Sequence, residues 1–251
     1  MREINNLKYY DILEIVKFFT SGETKDTIRN YLETGKLKGK KIEDTWFATK
    51  EDIEDFVGKE KGIRIFFTHP LEIDLNDIDI NGRILDIGGG GEGVIGQFKG
   101  NNVVSIDLRK SELEEALEAG DTESLKIIMD AKDLHFLDNT FDTITAFFSI
   151  MYIPKSDHKK IFKQIYRVLK QAGEFVIWDP IIPEKKDKNK ELYVVLIEVQ
   201  IKNKKVKTGY GTQWNKEQDI NYFINLVTNV GFKIVDQKVE KEYFFLKLQK
   251  V

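Results

Sequence analysis

The sequence predicts an α/β protein: a doubly wound, mostly parallel sheet of seven strands, preceded by a small, mainly helical N-terminal domain. Three observations predict it. The run ILDIGGGGEG from Ile84 to Gly93 reads as a buried strand, a glycine turn and a helix start, and VVSID then closes a second strand on Asp107. From Arg83 onward, short apolar runs alternate with amphipathic stretches, as βα units do. Before residue 60, helix and turn signals follow one another on a shorter scale. The expected domains are residues 1–60 and 61–251, the second carrying a β-hairpin insertion at about 190–214.

In the first domain, Ile12, Ile15, Val16 and Phe19 recur at helical spacing. Ser21 to Glu23 is a turn with Gly22. Thr24 or Asp26 caps a helix carrying Ile28, Tyr31 and Leu32, which stops at Gly35. KLKGKKIEDTWFAT suggests a short hairpin with Trp46 packed inward, and KEDIEDFVG a helix ending at Gly58. Lys59 to Gly62 reads as a polar linker. The apolar run Ile63 to Phe67 either pairs as a short strand or lies across the cleft, and Pro70 breaks it.

The second domain begins with the strand Ile84 to Ile87 and a short helix Gly93 to Phe98. Val103 to Ile106 is the second strand, and Ser111 caps a helix to Ala119. Leu125 to Met129 and the apolar Phe141 to Phe148 are the third and fourth strands. His158 to Leu169 places Ile161, Ile165 and Leu169 on one helical face, and Gly173 ends it. Glu174 to Trp178 is the fifth strand. After the charged loop PIIPEKKDKNK, a hairpin turns at Lys202 to Lys204, Ile220 to Val230 is a helix, and Phe232 to Lys238 and Tyr243 to Leu248 are the last strands.

Two cofactors compete for the glycine turn. Gly88, Gly90 and Gly93 satisfy the dinucleotide pattern GxGxxG literally. A pyrophosphate, however, would sit on the helix N-terminus, where backbone N–H groups favour an anion. Glu92 places a carboxylate in that mouth, and Asp86 adds another at the last inward strand position. A cofactor with an ammonium and a sulfonium and no phosphate suits both. Asp107 accepts from ribose hydroxyls and does not discriminate between the two.

LDIGGGGEG, VVSID and MDAKDLHFLDNTFDTITAFFSIMYI, with RVLKQAGEFVIWD after them, resemble the class I, Rossmann-like S-adenosylmethionine-dependent methyltransferases. The resemblance runs from about Gly82 to the C-terminus. It implies S-adenosylmethionine as cofactor. It implies that Gly88, Gly89 and Gly90 let the backbone approach it, and that Asp107 holds its ribose with Leu108 beside. Asp130 and Ala131 would meet the adenine edge, and Ser149 and Ile150 would border the methionine part. Asp86 and Glu92 complete the expected contacts. The chain departs from the family at Glu92, where a third glycine is common.

TIRNYLETGKLKG, the hairpin to Trp46 and KEDIEDF resemble the winged helix-turn-helix domains of the excisionase and MerR type. That implies DNA as a partner, with Lys25, Arg29 and Asn30 toward a major groove and Lys36, Lys38, Lys40 and Lys41 toward phosphates. Against it, residues 1–60 hold 13 acids and 11 bases. A protein partner and a cover over the methyltransferase site stay open beside DNA.

Composition narrows the classes. The chain has 251 residues, 41% hydrophobic and 32% charged, with a net charge of −3 and no cysteine. Disulfides, zinc–thiolate sites and a cysteine nucleophile are excluded, and no metal site is expected. No secretory or membrane-spanning run is evident, so a cytoplasmic protein with no membrane partner is expected. The oligomeric state is open, a homodimer included.

Methyl transfer from a sulfonium is an in-line displacement that asks mainly for alignment, with a base where the acceptor must lose a proton. No base stands out; Tyr152, His158 and Asp179 are the candidates, and His69 a minor one. Tyr152, Tyr210 and Trp214 either wall an acceptor pocket or, for the latter two, bury a hairpin against the sheet. Cytosine C5 methylation needs a cysteine. Adenine N6 methylation resembles DPPY or NPPY after the fourth strand, where this chain has SIMYI. A small-molecule acceptor is the expectation, with a DNA-binding regulator that senses S-adenosylmethionine as the alternative.

Overall fold

The computed structural model describes residues 2–4, 7–19, 23–185 and 187–251. The expected turn at Ser21 and Gly22 lies outside them. The chain divides into two compact units, each assembled from separate segments. The first comprises Met1–Glu72, Glu184–Glu198 and Lys207–Lys216; the second comprises Ile73–Pro183, Val199–Val206 and Glu217–Val251.

The first unit opens with β1 (Arg2–Ile4) and β2 (Leu7–Asp11), neither of which the sequence reading anticipated. Asp11 then starts α1 (Ile12–Ile15) with a capping box to Glu14, so the apolar spacing at 12–19 yields one α turn and a 3-10 turn rather than a full helix. Thr24, not Asp26, caps α2 (Lys25–Glu33) by accepting from the Thr27 amide. β3 (Lys40–Ile42) and β4 (Thr45–Thr49) form the hairpin, and the four strands make an antiparallel sheet in the order β1-β2-β4-β3. The N-terminal region is therefore built on a sheet and is not mainly helical. Phe47 and Ala48 are the buried residues of β4 and Trp46 only half-buried, which shifts the inward position by one.

α3 (Lys50–Lys61) runs through the supposed linker and ends on Gly62 at φ 65°. β5 (Ile65–Phe67) follows, then β6 (Leu71–Asp74). Within this unit Glu54 is almost fully buried; it accepts from the Phe67 amide at 2.8 Å and pairs with Lys190 at 3.0 Å. A buried carboxylate needs such partners to remain charged.

The second unit contains the α/β sheet. Its elements are β7 (Ile84–Ile87), α4 (Val94–Lys99), β8 (Val103–Asp107), α5 (Lys110–Glu118), β9 (Leu125–Ile128), β10 (Phe141–Phe147), α6 (Lys155–Val168) and β11 (Leu169–Pro180). The hairpin β12 (Leu192–Ile201) and β13 (Lys204–Gln213) has its tip in this unit and its remainder in the first. α7 (Ile220–Val230), β14 (Phe232–Val239) and β15 (Tyr243–Lys250) close the chain.

The seven strands are ordered β14-β15-β11-β10-β7-β8-β9, with the first five in sequence parallel and β15 antiparallel to β11. The core on one face joins Leu85, Ile144, Phe162, Phe175, Phe223 and Leu246. α6 ends at Val168, not at Gly173, because β11 starts at once at Leu169 and pairs it with Phe141 before a register shift. Ser111 does not cap α5; Arg109 holds the cap position, and its amide donates to Asp107 Oδ1 at 2.8 Å. The longest helix, α6, has 14 residues, and no described helix is long and apolar enough to cross a membrane.

Candidate active site

The carboxyl ends of β7, β8, β9 and β10 lie side by side, and the loops leaving them hold the expected cofactor residues. In open α/β sheets ligands bind at that edge. Asp86 is the penultimate residue of β7, and Ser105 on β8 and Thr145 on β10 stand beside it in register. Asp86 is 3% exposed, and the Thr145 hydroxyl donates to its Oδ1 at 2.6 Å. Its pKa is pushed up to about 7: burial raises it most, the Thr145 hydrogen bond offsets part of that, and the charges of Asp121 and Asp107 add to the rise.

The glycine turn is shaped first by its own packing. Gly88 has φ +71°, a conformation costly for any residue with a Cβ, and an added Cβ would lie 2.5 Å from Ser149 Cβ. The Gly88 and Gly89 amides both donate to the Ile106 carbonyl, at 2.8 and 3.0 Å, which pins the turn to β8. A Cβ on Gly89 would strike Asp86 Oδ2, and one on Gly90 would collide with Glu112 Cβ. The Ser149 hydroxyl donates to the Ile87 carbonyl at 2.6 Å, so the loop after β10 is tied to the end of β7. Phe148, fully buried at φ 50°, makes that bend, with its amide donating to the Trp178 carbonyl at 2.8 Å.

Asp107 ends β8 half-buried. Its Oδ1 takes the Arg109 amide, while its Oδ2 is 3.1 Å from where a Cβ on Gly90 would stand. That oxygen faces the glycine turn and has no protein donor among the described residues. Leu108 beside it is 67% exposed. Asp130 accepts the Lys132 amide at 2.9 Å, and the Lys132 ammonium reaches both Asp130 and Asp157 on α6, at 3.6 and 3.2 Å. Ala131, in the same turn, is half-buried. The Glu92 carbonyl accepts from Gln97 at 2.5 Å.

Sequence reading missed Thr145, Glu112, Arg109 and Asp121. Thr143 and Thr145 recur at alternate positions of the strand FDTITAF, and that alternation was the available signal. Glu112 pairs with Arg109 at 2.8 Å, and burial raises its pKa. Asp121 is buried, pairs with Lys126 at 3.0 Å and accepts from the Ser124 hydroxyl.

Several candidates fall away as bases. His158 is 1% exposed; its Nδ1 is 2.9 Å from the Tyr222 hydroxyl, its Nε2 is 3.1 Å from the Ile153 carbonyl, and its ring stacks on Phe223. It is a satisfied core histidine. Asp179 is fully buried, with Gln218 Nε2 donating to its Oδ2 at 2.7 Å. His69 and Tyr10, both in the first unit, lie 3.0 Å apart. Tyr152 ends the 3-10 turn Ile150–Tyr152 and is 48% exposed.

Tyr210 and Trp214 fall in the first unit. Trp214 is 5% exposed and packs on Phe66 and Tyr193, as a buried aromatic cluster rather than a pocket wall. Tyr210 is half-buried.

In the N-terminal region the cations meet acids. Arg29 pairs with Asp26 at 2.7 Å, Lys38 with Asp52 at 3.3 Å, Lys41 with Asp44 at 3.2 Å and Lys36 with Glu60 at 3.0 Å. Lys40 lies over the Tyr9 ring at 5.8 Å. Lys25, Arg29, Lys41 and Trp46 border one hollow of about 360 Å³ together with Asp11, Glu33 and Asp44.

Residues 85–177 match the family described as "Methyltransferase domain". The sterol 4-C-methyltransferase of Caenorhabditis elegans is 36% identical over 129 residues, covering 48% of this chain and 38% of that protein. A ubiquinone/menaquinone biosynthesis C-methyltransferase of Rickettsia typhi is 33% identical over 111 residues, covering 39% of this chain and 44% of that protein. The chain thus spans about two-fifths of the length of these curated relatives. Among solved structures, a SAM-dependent methyltransferase from Methanosarcina mazei superimposes with a TM-score of 0.52 at 18% identity, covering 70% of this chain and 95% of that one. One from Aquifex aeolicus gives 0.52 at 16% identity, covering 70% and 87%. Both share the fold of the seven-stranded sheet.

Proposed function

We propose that this chain, with a methyltransferase domain at residues 85–177, transfers a methyl group from S-adenosylmethionine to a small-molecule acceptor. One observation favours this most: an acid on each of β7 and β8 meets the glycine turn, Asp86 without a cationic partner among its described contacts and Asp107 with one oxygen turned to Gly90. A cationic, phosphate-free ligand bearing a ribose fits that set of groups, and a pyrophosphate would be repelled by it. Two of the named relatives methylate a sterol or serve quinone biosynthesis, which supports a small-molecule acceptor.

When bound, the cofactor supplies an electrophilic methyl on a sulfur leaving group. The chain's own residues position it. Asp107 Oδ2 would accept from ribose hydroxyls, Asp86 would lie against the positive end, and Leu108, Asp130 and Ala131 would border the adenine. Ser149, held to Ile87, keeps the wall after β10 in place. Tyr152, half exposed at the end of the turn after β10, is the remaining candidate to face the acceptor. Alignment is the main demand, so the absence of an evident base among the candidates is consistent with the reaction.

Asp107→Ala should weaken S-adenosylmethionine binding about tenfold or more, since charge-assisted hydrogen bonds of roughly 1.5–3 kcal/mol are lost. Isothermal titration reads this directly. Unchanged affinity would remove the ribose assignment, and binding of NAD in place of S-adenosylmethionine would remove the function.

DNA binding by the N-terminal region is the second reading. It rests on a capped α2 followed by the β3–β4 hairpin, with Lys25, Arg29 and Lys41 around one hollow. Because Arg29, Lys38 and Lys41 each face a carboxylate, the region offers little net positive potential. We expect the full chain to hold duplex DNA only at low salt and to release it by about 150 mM, as non-specific electrostatic contacts do. A gel shift with no complex even at low salt would end this reading.

A further inference from the structure

We propose that Asp86 holds its proton in the free protein below neutral pH and gives it up when the cationic methyl donor arrives, so that cofactor binding releases a proton. This rests on the S-adenosylmethionine reading above and adds a linkage to it.

The geometry is that of a carboxyl group with no counter-charge of its own. Asp86 is buried between β8 and β10, where its neighbours are hydroxyls: Ser105 on one side and Thr145 on the other. The glycine turn presses on its second oxygen, since a Cβ on Gly89 would lie 2.7 Å from Oδ2. The charged groups on neighbouring elements are mostly acids. Asp107 ends β8, Asp121 precedes β9, and Glu112 on α5 packs on Gly90. The nearby cations are committed elsewhere: Lys126 to Asp121 at 3.0 Å and Arg109 to Glu112 at 2.8 Å. Ionising Asp86 would set a negative charge at a buried position beside the acids Asp107 and Asp121, which burial and like charges both disfavour. Its pKa, raised to about 7, agrees with that geometry.

A ligand carrying positive charge reverses the balance. The carboxylic O–H bond breaks, the electron pair stays on Asp86 as the carboxylate facing the cation, and the proton passes to buffer. Affinity is then linked to pH. Below pH 7 it should tighten by up to about tenfold per pH unit and level off above pH 7.

The test is calorimetric titration of the full chain with S-adenosylmethionine in two buffers of different ionisation enthalpy, from pH 6 to pH 8. We expect release of close to one proton at pH 6, about half a proton at pH 7 and little at pH 8. Asp86→Asn should abolish the release. Thr145→Val, which removes the hydroxyl that stabilises the anion, should move the midpoint of release to higher pH. Heats identical in both buffers, with an affinity independent of pH, would overturn the proposal while leaving the cofactor reading intact. Release unchanged in Asp86→Asn would overturn the assignment to this residue. No binding even at pH 8, where Asp86 is ionised in either case, would overturn the cofactor reading and the proposal together.

Discussion

Gly88→Ala is expected to destabilise the protein by roughly 2–5 kcal/mol and to abolish measurable cofactor binding. Two separate costs produce this. At φ +71° the new Cβ meets its own backbone, which costs about 1–2 kcal/mol. The same Cβ would lie 2.5 Å from Ser149 Cβ, and relieving such an overlap in a packed site costs about 1–3 kcal/mol. The two are separable by a double-mutant cycle. With Ser149→Gly the obstacle is gone, so Gly88→Ala should then cost only the backbone part. Urea denaturation of the four proteins measures the difference. An equal loss in both backgrounds would show that Ser149 does not set the requirement for glycine.

The second large effect is on stability as a function of pH. The Asp86 carboxyl has its pKa raised from 3.8 to about 7 in the folded protein. Between those values the folded chain retains a proton that the unfolded chain has lost. Stability is therefore fully present below about pH 4 and declines as pH rises toward 7, after which it is flat. A shift of about three units corresponds to roughly 4 kcal/mol at most. Asp86→Asn keeps an oxygen for the Thr145 hydroxyl and carries no charge, so this decline should vanish. Chemical denaturation of both proteins at pH 4.5, 6 and 7.5 reads it. Parallel profiles would mean that Asp86 is ionised throughout the range.

The centre of the α/β sheet was legible because β7 and β10 are buried on both faces and a glycine turn follows β7. The strand at 84–87, the strand at 103–107 and the helix at 220–230 were placed within a residue of their observed limits. The N-terminal strands were not, because REI and LKYYD are short and mostly exposed, with no alternation to detect. Tertiary pairing decides them: Tyr9 and Tyr10 pair with Thr49 and Ala48 some 40 residues away. At the site, chain order pointed to Asp86, Asp107 and Asp130 but not to the hydroxyl that Asp86 leans on. Thr145 lies 59 residues from Asp86 in the chain and directly beside it in the sheet. The misreading of His158 has a similar origin, since its partner Tyr222 is 64 residues distant.

The parallel pairing of β5 with β12 has a bearing on how the chain is made. Ile65, Phe66 and Phe67 find their partners at Leu192, Tyr193 and Val194, Arg64 finds its partner at Glu191, and Phe66 packs on Trp214. A ribosome has therefore released the five parallel strands β7 to β11 before the first unit can be completed. A fragment ending near residue 72 would emerge with β5 unpaired on the side that β12 covers and with Phe66 lacking its Tyr193 and Trp214 neighbours, and fusion or display designs should take residues 184–216 along with it.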